Sequence, residues 1–318
     1  MAVGIACLWF AFRSAEPTVL WDSLRRANFA SIPLFLTVLF LYYWLKAVRW
    51  GKLLAPIKQV PTKELFPALM VGYGVSSILP MHLGEVARVL IIRADHSIRV
   101  SALATSIVLE RLLDLVTIPL LFAIAMLAGR DVPEMLVKTG YVIGLIGVGG
   151  IAFVLLYVLR PQLILRLAGR MTSALPEKWT DSLLAQLEAG ASGAAALRSP
   201  RQMIVIFGLT LLQWAMMWAC VWLSIQSVGI DASWSAAILT VALINVAVAL
   251  PTSPGFIGSV QAAFVLALIP YEVSREAAIA ASIYFHVLAY VSVVLAGLVF
   301  LHKAGQSLGA LLSDASKN

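Results

Sequence analysis

Charge is scarce in this 318-residue chain: Asp, Glu, Lys and Arg together make up 12% of it, against roughly 25% in an ordinary globular domain. With 61% hydrophobic residues and a mean hydropathy of +0.93, that shortage excludes a soluble fold, which has nowhere to hide so much apolar surface. A bilayer solvates apolar outer faces and accommodates it. Cysteine is equally sparse. Cys7 and Cys220 both sit in apolar runs, leaving no disulfide framework and no metal-ligand spacing. HExxH, P-loop, nucleophile-elbow and CxxC patterns are absent, so no metal and no cofactor is expected. The net charge is +7, but the basic residues lie between apolar runs rather than in one patch. They read as loop charges that fix topology, and no nucleic-acid partner is expected. No basic segment precedes the opening apolar run, so a cleaved signal peptide is not expected either.

What is abundant is long apolar sequence. Stretches at 1–12, 32–48, 101–128, 139–159, 203–224 and 277–301 read as spans. The first is short for a crossing and reads as partly embedded or as beginning upstream. Two further stretches are broken. Residues 65–93 are interrupted at Pro80 and Gly84, and residues 234–270 at Pro251, Pro254, Gly255 and Gly258. Segment 160–201 mixes Arg160, Arg166, Arg170, Lys178, Arg198 and Arg201 with Leu and Ala. It reads as an amphipathic connector on the cytoplasmic surface.

Basic residues crowd 49–63, 160–201 and the C-terminal tail, whereas 225–233 has none and 130–138 is balanced by Asp131 and Glu134. The crowded loops are therefore expected in the cytoplasm, with the C-terminus. A straight crossing by 65–79 would carry Arg88, Arg93 and Arg99 outside. A dip from the cytoplasm and back keeps them inside, and a matching dip by 234–270 from outside makes all the loops agree. The expected fold is an all-α polytopic membrane protein with about six transmembrane helices and two re-entrant helical hairpins in an inverted-topology repeat. Residues 1–159 hold the first half and the span that opens the second repeat, 160–201 the connector, and 202–318 the remainder. Pro80, Gly84 and Val86 align with Pro254, Gly258 and Val260, and Ser106-Ile107 follows the first set as Ser282-Ile283 follows the second. Paired broken segments in two halves point to a transporter's binding site. Ordinary spans kinked at proline are the other reading.

Candidate site residues cluster around those breaks. Freed amides at helix N-termini favour anions, and Glu85, Arg88 and His82 stand near the first turn and Gln261 after the second. Glu110, Arg111 and Asp114 lie within the 101–128 span, where ionised groups are costly and usually functional. Their i,i+3 and i,i+4 spacing allows a partly self-neutralised cluster with one excess negative charge, which Arg88 would balance. A purely structural ion-pair network is the alternative. His286 in the last span is either a helix–helix hydrogen-bond partner or a proton relay. Lys46 and Arg49 end the second span beside Trp44 and Trp50. This is the pattern of side chains snorkelling to an interface, with headgroup binding as the rival reading.

Four motifs together, Ile78–Arg88, Val108–Asp114, Leu250–Gly258 and the early Arg49-Trp50 followed by Leu53-Leu54, resemble the flippase-like family of the transmembrane region of lysylphosphatidylglycerol synthases. The resemblance implies a two-repeat lipid translocator with re-entrant helices in the bacterial cytoplasmic membrane. It implies membrane lipids as partners, and a homo-oligomer or a separate lipid-modifying enzyme besides. In fused members a soluble domain makes the aminoacylated lipid. That domain is not in this sequence, so the chain is not expected to be an enzyme. His82 stands where the family often has Arg, so the headgroup preference does not carry over. A membrane enzyme acting on lipid-linked phosphates, with Glu85 or Glu110 as acid/base, and a non-transporting partner subunit are the rival functions.

Overall fold

The computed structural model describes residues 2–79, 83–128, 159–172, 199–249 and 253–303, with isolated positions between 142 and 157 and between 180 and 188. Every regular element among them is helical. They are α1 (Ala2–Phe12), α2 (Pro17–Arg25), α3 (Ile32–Leu54), α4 (Thr62–Ile78), α5 (Leu83–His96), α6 (Val100–Ala128), α7 (Pro161–Met171), α8 (Pro200–Ser227), α9 (Trp234–Ala249), α10 (Ser259–Leu268) and α11 (Arg275–Lys303). Short 3-10 turns occupy Phe29–Ser31, Pro254–Phe256 and Ile269–Tyr271. Pro80, His82 and Pro251, most of 139–159, parts of 160–201 and the tail after Lys303 fall outside the described residues.

Proline sets several boundaries. α2, α7 and α8 each begin with proline in their first turn, where its missing N–H costs nothing. Leu79 ends α4 in extended backbone, φ −100° and ψ 143°, as the residue before a proline prefers. The chain then folds back. At the open end of the resulting hairpin, His96 Nε2 lies 3.0 Å from Glu64 Oε2, so α5 finishes beside the start of α4. Near the tip, a Cβ on Gly84 would overlap the Gly72 carbonyl oxygen; only glycine lets the two arms approach this closely. α9 and α10 form a second packed pair across the turn at Pro254–Phe256. There Gly255 and Gly258 adopt φ of 65° and 89°, backbone that L side chains rarely enter.

Three helical stretches are long and apolar enough to cross a membrane: Phe29–Leu54, Pro200–Ser227 and Arg275–Lys303. α6 has the length, about 43 Å, but carries Glu110, Arg111 and Asp114. The hairpin arms do not have it: at 17, 14, 16 and 10 residues they reach about 15–25 Å, short of a hydrocarbon core of about 30 Å. α1, at 11 residues, is also too short and packs against α10. Its Gly4 carbonyl sits where a Cβ on Gly258 would come within 2.5 Å.

Packing between the halves is reciprocal. α4, from the first hairpin, lies on α11, and α9, from the second, lies on α6. α3 and α8 pack on each other, α3 on α4 and α6, and α8 on α9 and α11. Glycines let the first of these contacts close: Gly297 Cα would be 3.1 Å from a Cβ on Gly74. The apolar core accordingly falls into one large cluster on α8–α11 with α1, α3 and the end of α6, another on α3–α6 with the end of α11, and a smaller one joining Leu53, Leu109, Leu113, Ile164 and Ile206. Side chains such as Ile5, Leu127 and Ile204 stay exposed on the outside, as lipid-facing residues would.

One span extends further than expected. α3 runs to Leu54 rather than stopping near residue 48, because Lys46 and Arg49 turn inward instead of marking an interface. They are 2% and 0% exposed.

Candidate functional site

The inward turn of Lys46 and Arg49 builds the centre of the site. They are three residues apart on α3 and share a face. Glu110 and Asp114, four apart on α6, share the face opposite. Arg49 Nη1 lies 2.7 Å from Asp114 Oδ1 and Nη2 lies 3.5 Å from Glu110 Oε1. Lys46 Nζ is 3.4 Å from Asp114 Oδ2 and 3.8 Å from Glu110 Oε1. From the first hairpin, Arg88 Nη1 donates to Glu110 Oε2 at 3.1 Å. Neutral groups complete the ring: Gln213 Nε2 donates to Asp114 Oδ1 at 3.0 Å, and Arg49 Nη1 also reaches Thr210 Oγ1 at 3.1 Å. Glu110 is fully buried and Asp114 8% exposed. Charges held so far from water persist only when paired.

Arg111 stands apart. One residue along a helix is about 100° of rotation, so it leaves the face of Glu110 and Asp114 and reaches Glu85 on α5. Its Nε donates to Glu85 Oε1 at 2.8 Å, and Nη2 contacts the same oxygen. The expected self-neutralised cluster of Glu110, Arg111 and Asp114 is therefore corrected: both carboxylates are paired from α3 and the hairpin. Lys46, Arg49, Arg88 and Arg111 face Glu85, Glu110 and Asp114, four cations to three carboxylates, where the expected cluster with Arg88 was neutral. The interfacial reading of Lys46, Arg49 and Trp50 is corrected with it. Trp50 is fully buried; its Nε1 donates to Ser106 Oγ at 2.9 Å and its ring lies 4.9 Å from the Arg88 guanidinium carbon.

This network borders a cavity of about 460 Å³. Lys46, Glu85, Arg88, Arg111 and Asp114 are the ionised residues of its lining. Leu39, Leu115, Ile118, Met217, Ile244 and Val248 are among the apolar residues of its wall, and Tyr42, Tyr43, Tyr73 and Trp214 add aromatic surface. Both hairpin tips reach it, through Gly84 and through Gly255 and Phe256. They also approach each other: a Cβ on Gly255 would lie 3.3 Å from the Ser77 carbonyl oxygen on α4 and 2.7 Å from Tyr290 Cε2.

Residues 1–297 match the family model described as the lysylphosphatidylglycerol synthase TM region. The chain belongs to that family. It is accordingly a multi-pass membrane protein related to lipid handling. No curated protein matches it.

Within this member of the family, the second hairpin differs from expectation. One amide of its turn is already taken, since Gly258 N–H donates to Gln261 Oε1 at 2.7 Å. That bond fixes the orientation of the Gln261 amide. Nε2 then faces His286 Nδ1 at 3.1 Å, so Nδ1 accepts, and His286 Nε2–H donates to the Gly255 carbonyl at 2.8 Å. The chain of bonds is satisfied by the neutral Nε2–H tautomer. Gln261 thus acts as a cap and a strut, while His286 itself lines the cavity. Its position echoes the first half. His286 lies four residues after Ser282, as Glu110 lies four after Ser106, and each reaches a residue of its own hairpin, Gln261 or Arg88. Ser282 and Ser106 each bond the carbonyl three residues back, Ile279 and Leu103, at 2.6 and 2.7 Å.

Proposed function

We propose that this chain translocates a lipid or similar amphiphile, its headgroup passing through the central cavity while the acyl chains stay in the bilayer. The observation that carries the reading is a cavity lined by both ionised and apolar side chains and bordered by two hairpin tips. Such a mixed lining suits a molecule with a polar head and an apolar body. The reciprocal packing of α4 on α11 and α9 on α6 supports an inverted-topology repeat with re-entrant hairpins. In that arrangement, alternating access is a rocking of one half against the other around a fixed site. Arg88, Arg111, Glu85 and Lys46 are the headgroup contacts in this scheme. The basic loops at 49–63 and 160–201 support a cytoplasmic C-terminus, and the resemblance supports a bacterial cytoplasmic membrane. Lipids are the partners, joined by a second copy or by a separate lipid-modifying enzyme.

The rival enzyme reading needs a free acid/base. Glu110 is buried and held by three cations, a setting that suits a structural charge better than a proton carrier. The test is headgroup accessibility of a fluorescent phospholipid in proteoliposomes, read by quenching from outside. Wild type moves the label between leaflets, chemically unchanged. Glu85→Gln with Arg111→Gln, which removes a partly exposed pair, lowers the rate without unfolding the protein. Unchanged rates in the double variant, or a chemically altered lipid, would reject the proposal.

A further inference from the structure

One stripe of α6 faces out of the bundle and yet belongs in part to the cavity. Val108 is 56% exposed and does not line the cavity, so it marks the outward direction. Leu115 follows seven residues on, within about 20° of the same direction. It is 51% exposed and does line the cavity. Arg111, three residues from one and four from the other, lies beside them, with 39% of its side chain exposed. It too lines the cavity, as does its partner Glu85. Arg111 comes 11 residues after the first residue of α6, about 16 Å along a helix of about 43 Å. A partly exposed ion pair therefore sits at the depth where a bilayer solvates charge worst. A pair that only held helices together would be buried, as Glu110 and Arg49 are.

The second half has no counterpart to this stripe. With Ser282 standing for Ser106, Val287 takes the place of Arg111 and Val291 that of Leu115. Both valines are similarly exposed, at 53% and 46%, but neither lines the cavity. The hairpins leave the gap on α6. α5, joined to the start of α6 through residues 97–99, packs along that end, and its tip stops at the level of Arg111, which Glu85 holds. α9 shares a core cluster with Phe122 and Ala125 toward the other end of α6. The middle of α6 lies between the two. We infer that the cavity opens sideways into the bilayer at this point, on the α6 side and not on the α11 side. Arg111 and Glu85 form the polar threshold of the entrance, and Val108 and Leu115 its apolar sill. The ligand is a membrane lipid, its headgroup passing the ion pair while its acyl chains lie along the sill. This deepens the translocation reading and rests on it for the movement that follows entry.

The experiment uses the full chain in vesicles of phosphatidylglycerol and phosphatidylethanolamine, a small fraction of the latter carrying a photoreactive diazirine on its amine. After illumination, peptide mass spectrometry maps where the headgroup has been. Label on Val108, Arg111 and Leu115 exceeds label on Val287 and Val291 by about tenfold or more, because a headgroup does not dwell at mid-bilayer beside plain apolar surface. Val108 does not line the cavity, so label there reports a headgroup at the mouth and not one held within. Arg111→Val with Glu85→Gln gives α6 the residue of the second half and strands no carboxylate. It cuts the label on Val108 and Leu115 to the level of Val291, and an unchanged melting temperature shows that the fold is kept. Absence of label from Val108, or equal label on the valines of α11, overturns the entrance. Lipid movement, read by quenching on the same vesicles, separates the two readings. Movement without label on Val108 removes the entrance and keeps translocation; label on Val108 without movement keeps the entrance and removes translocation.

Discussion

Arg49 and Asp114, 65 residues apart in sequence, form a buried ion pair with Nη1 2.7 Å from Oδ1 that ties α3 to α6. Removing one member strands the other in a medium that cannot solvate it, at a cost of about 3–5 kcal/mol. Asp114→Ala should therefore lower the melting temperature sharply. Replacing both, Arg49→Met with Asp114→Leu, should recover most of the loss, since a packed apolar pair often matches a buried ionic one in stability. Thermal unfolding in detergent of the two variants checks the difference. A double variant no more stable than the single one would contradict the pairing.

Gly84 is where the first hairpin has no room. Gly84→Ala drives a methyl into the Gly72 carbonyl, and the expected outcome is a poorly folded or split α4–α5 pair. Gly208→Ala is the control, because nothing lies within 4 Å of a Cβ there. It sits inside α8, where alanine should be neutral or stabilising by about 0.5–1 kcal/mol. Yield of monodisperse protein and the melting temperature of the two variants, compared side by side, decide this.

Much of that hairpin was legible in the sequence because proline and glycine act on the backbone directly. Pro80 forces Leu79 out of the helix, and Gly84 admits the returning arm. Pro254, Gly255 and Gly258 do the same in the second half. The partners of the ionised residues were not legible. Lys46 and Arg49 beside tryptophan look the same whether they end a helix at an interface or turn into a core. What decides is whether carboxylates stand opposite, and that is a fact about α6, not α3. The i,i+3 spacing of Arg111 and Asp114 suggested a pair that forms only if Asp114 is free, and Arg49 takes it. A signal for the second half was present but weak: His286 occupies the place, relative to Ser282, that Glu110 occupies relative to Ser106.

Gln261 joins Gly258 to His286 through two hydrogen bonds of 2.7 and 3.1 Å. Gln261→Leu keeps the volume and strips both, leaving a buried amide and a ring nitrogen without partners. The loss should be about 1–3 kcal/mol for each group and should be local. Amide hydrogen exchange of 255–260 should speed up while α4 keeps its protection. Uniform loosening of both hairpins would instead point to a general defect.

The central claim is that lipid headgroups travel through the cavity between the two hairpins. Ala289 lines it, and Cys7 and Cys220 are the two native cysteines, so a variant with both replaced by alanine and Ala289→Cys introduced offers a single reactive position. Lipid movement is measured in proteoliposomes before and after attachment of a bulky disulfide-forming reagent, and again after reduction. The account predicts that attachment stops most of the movement and that reduction restores it. Unimpeded movement with the cavity plugged would contradict it.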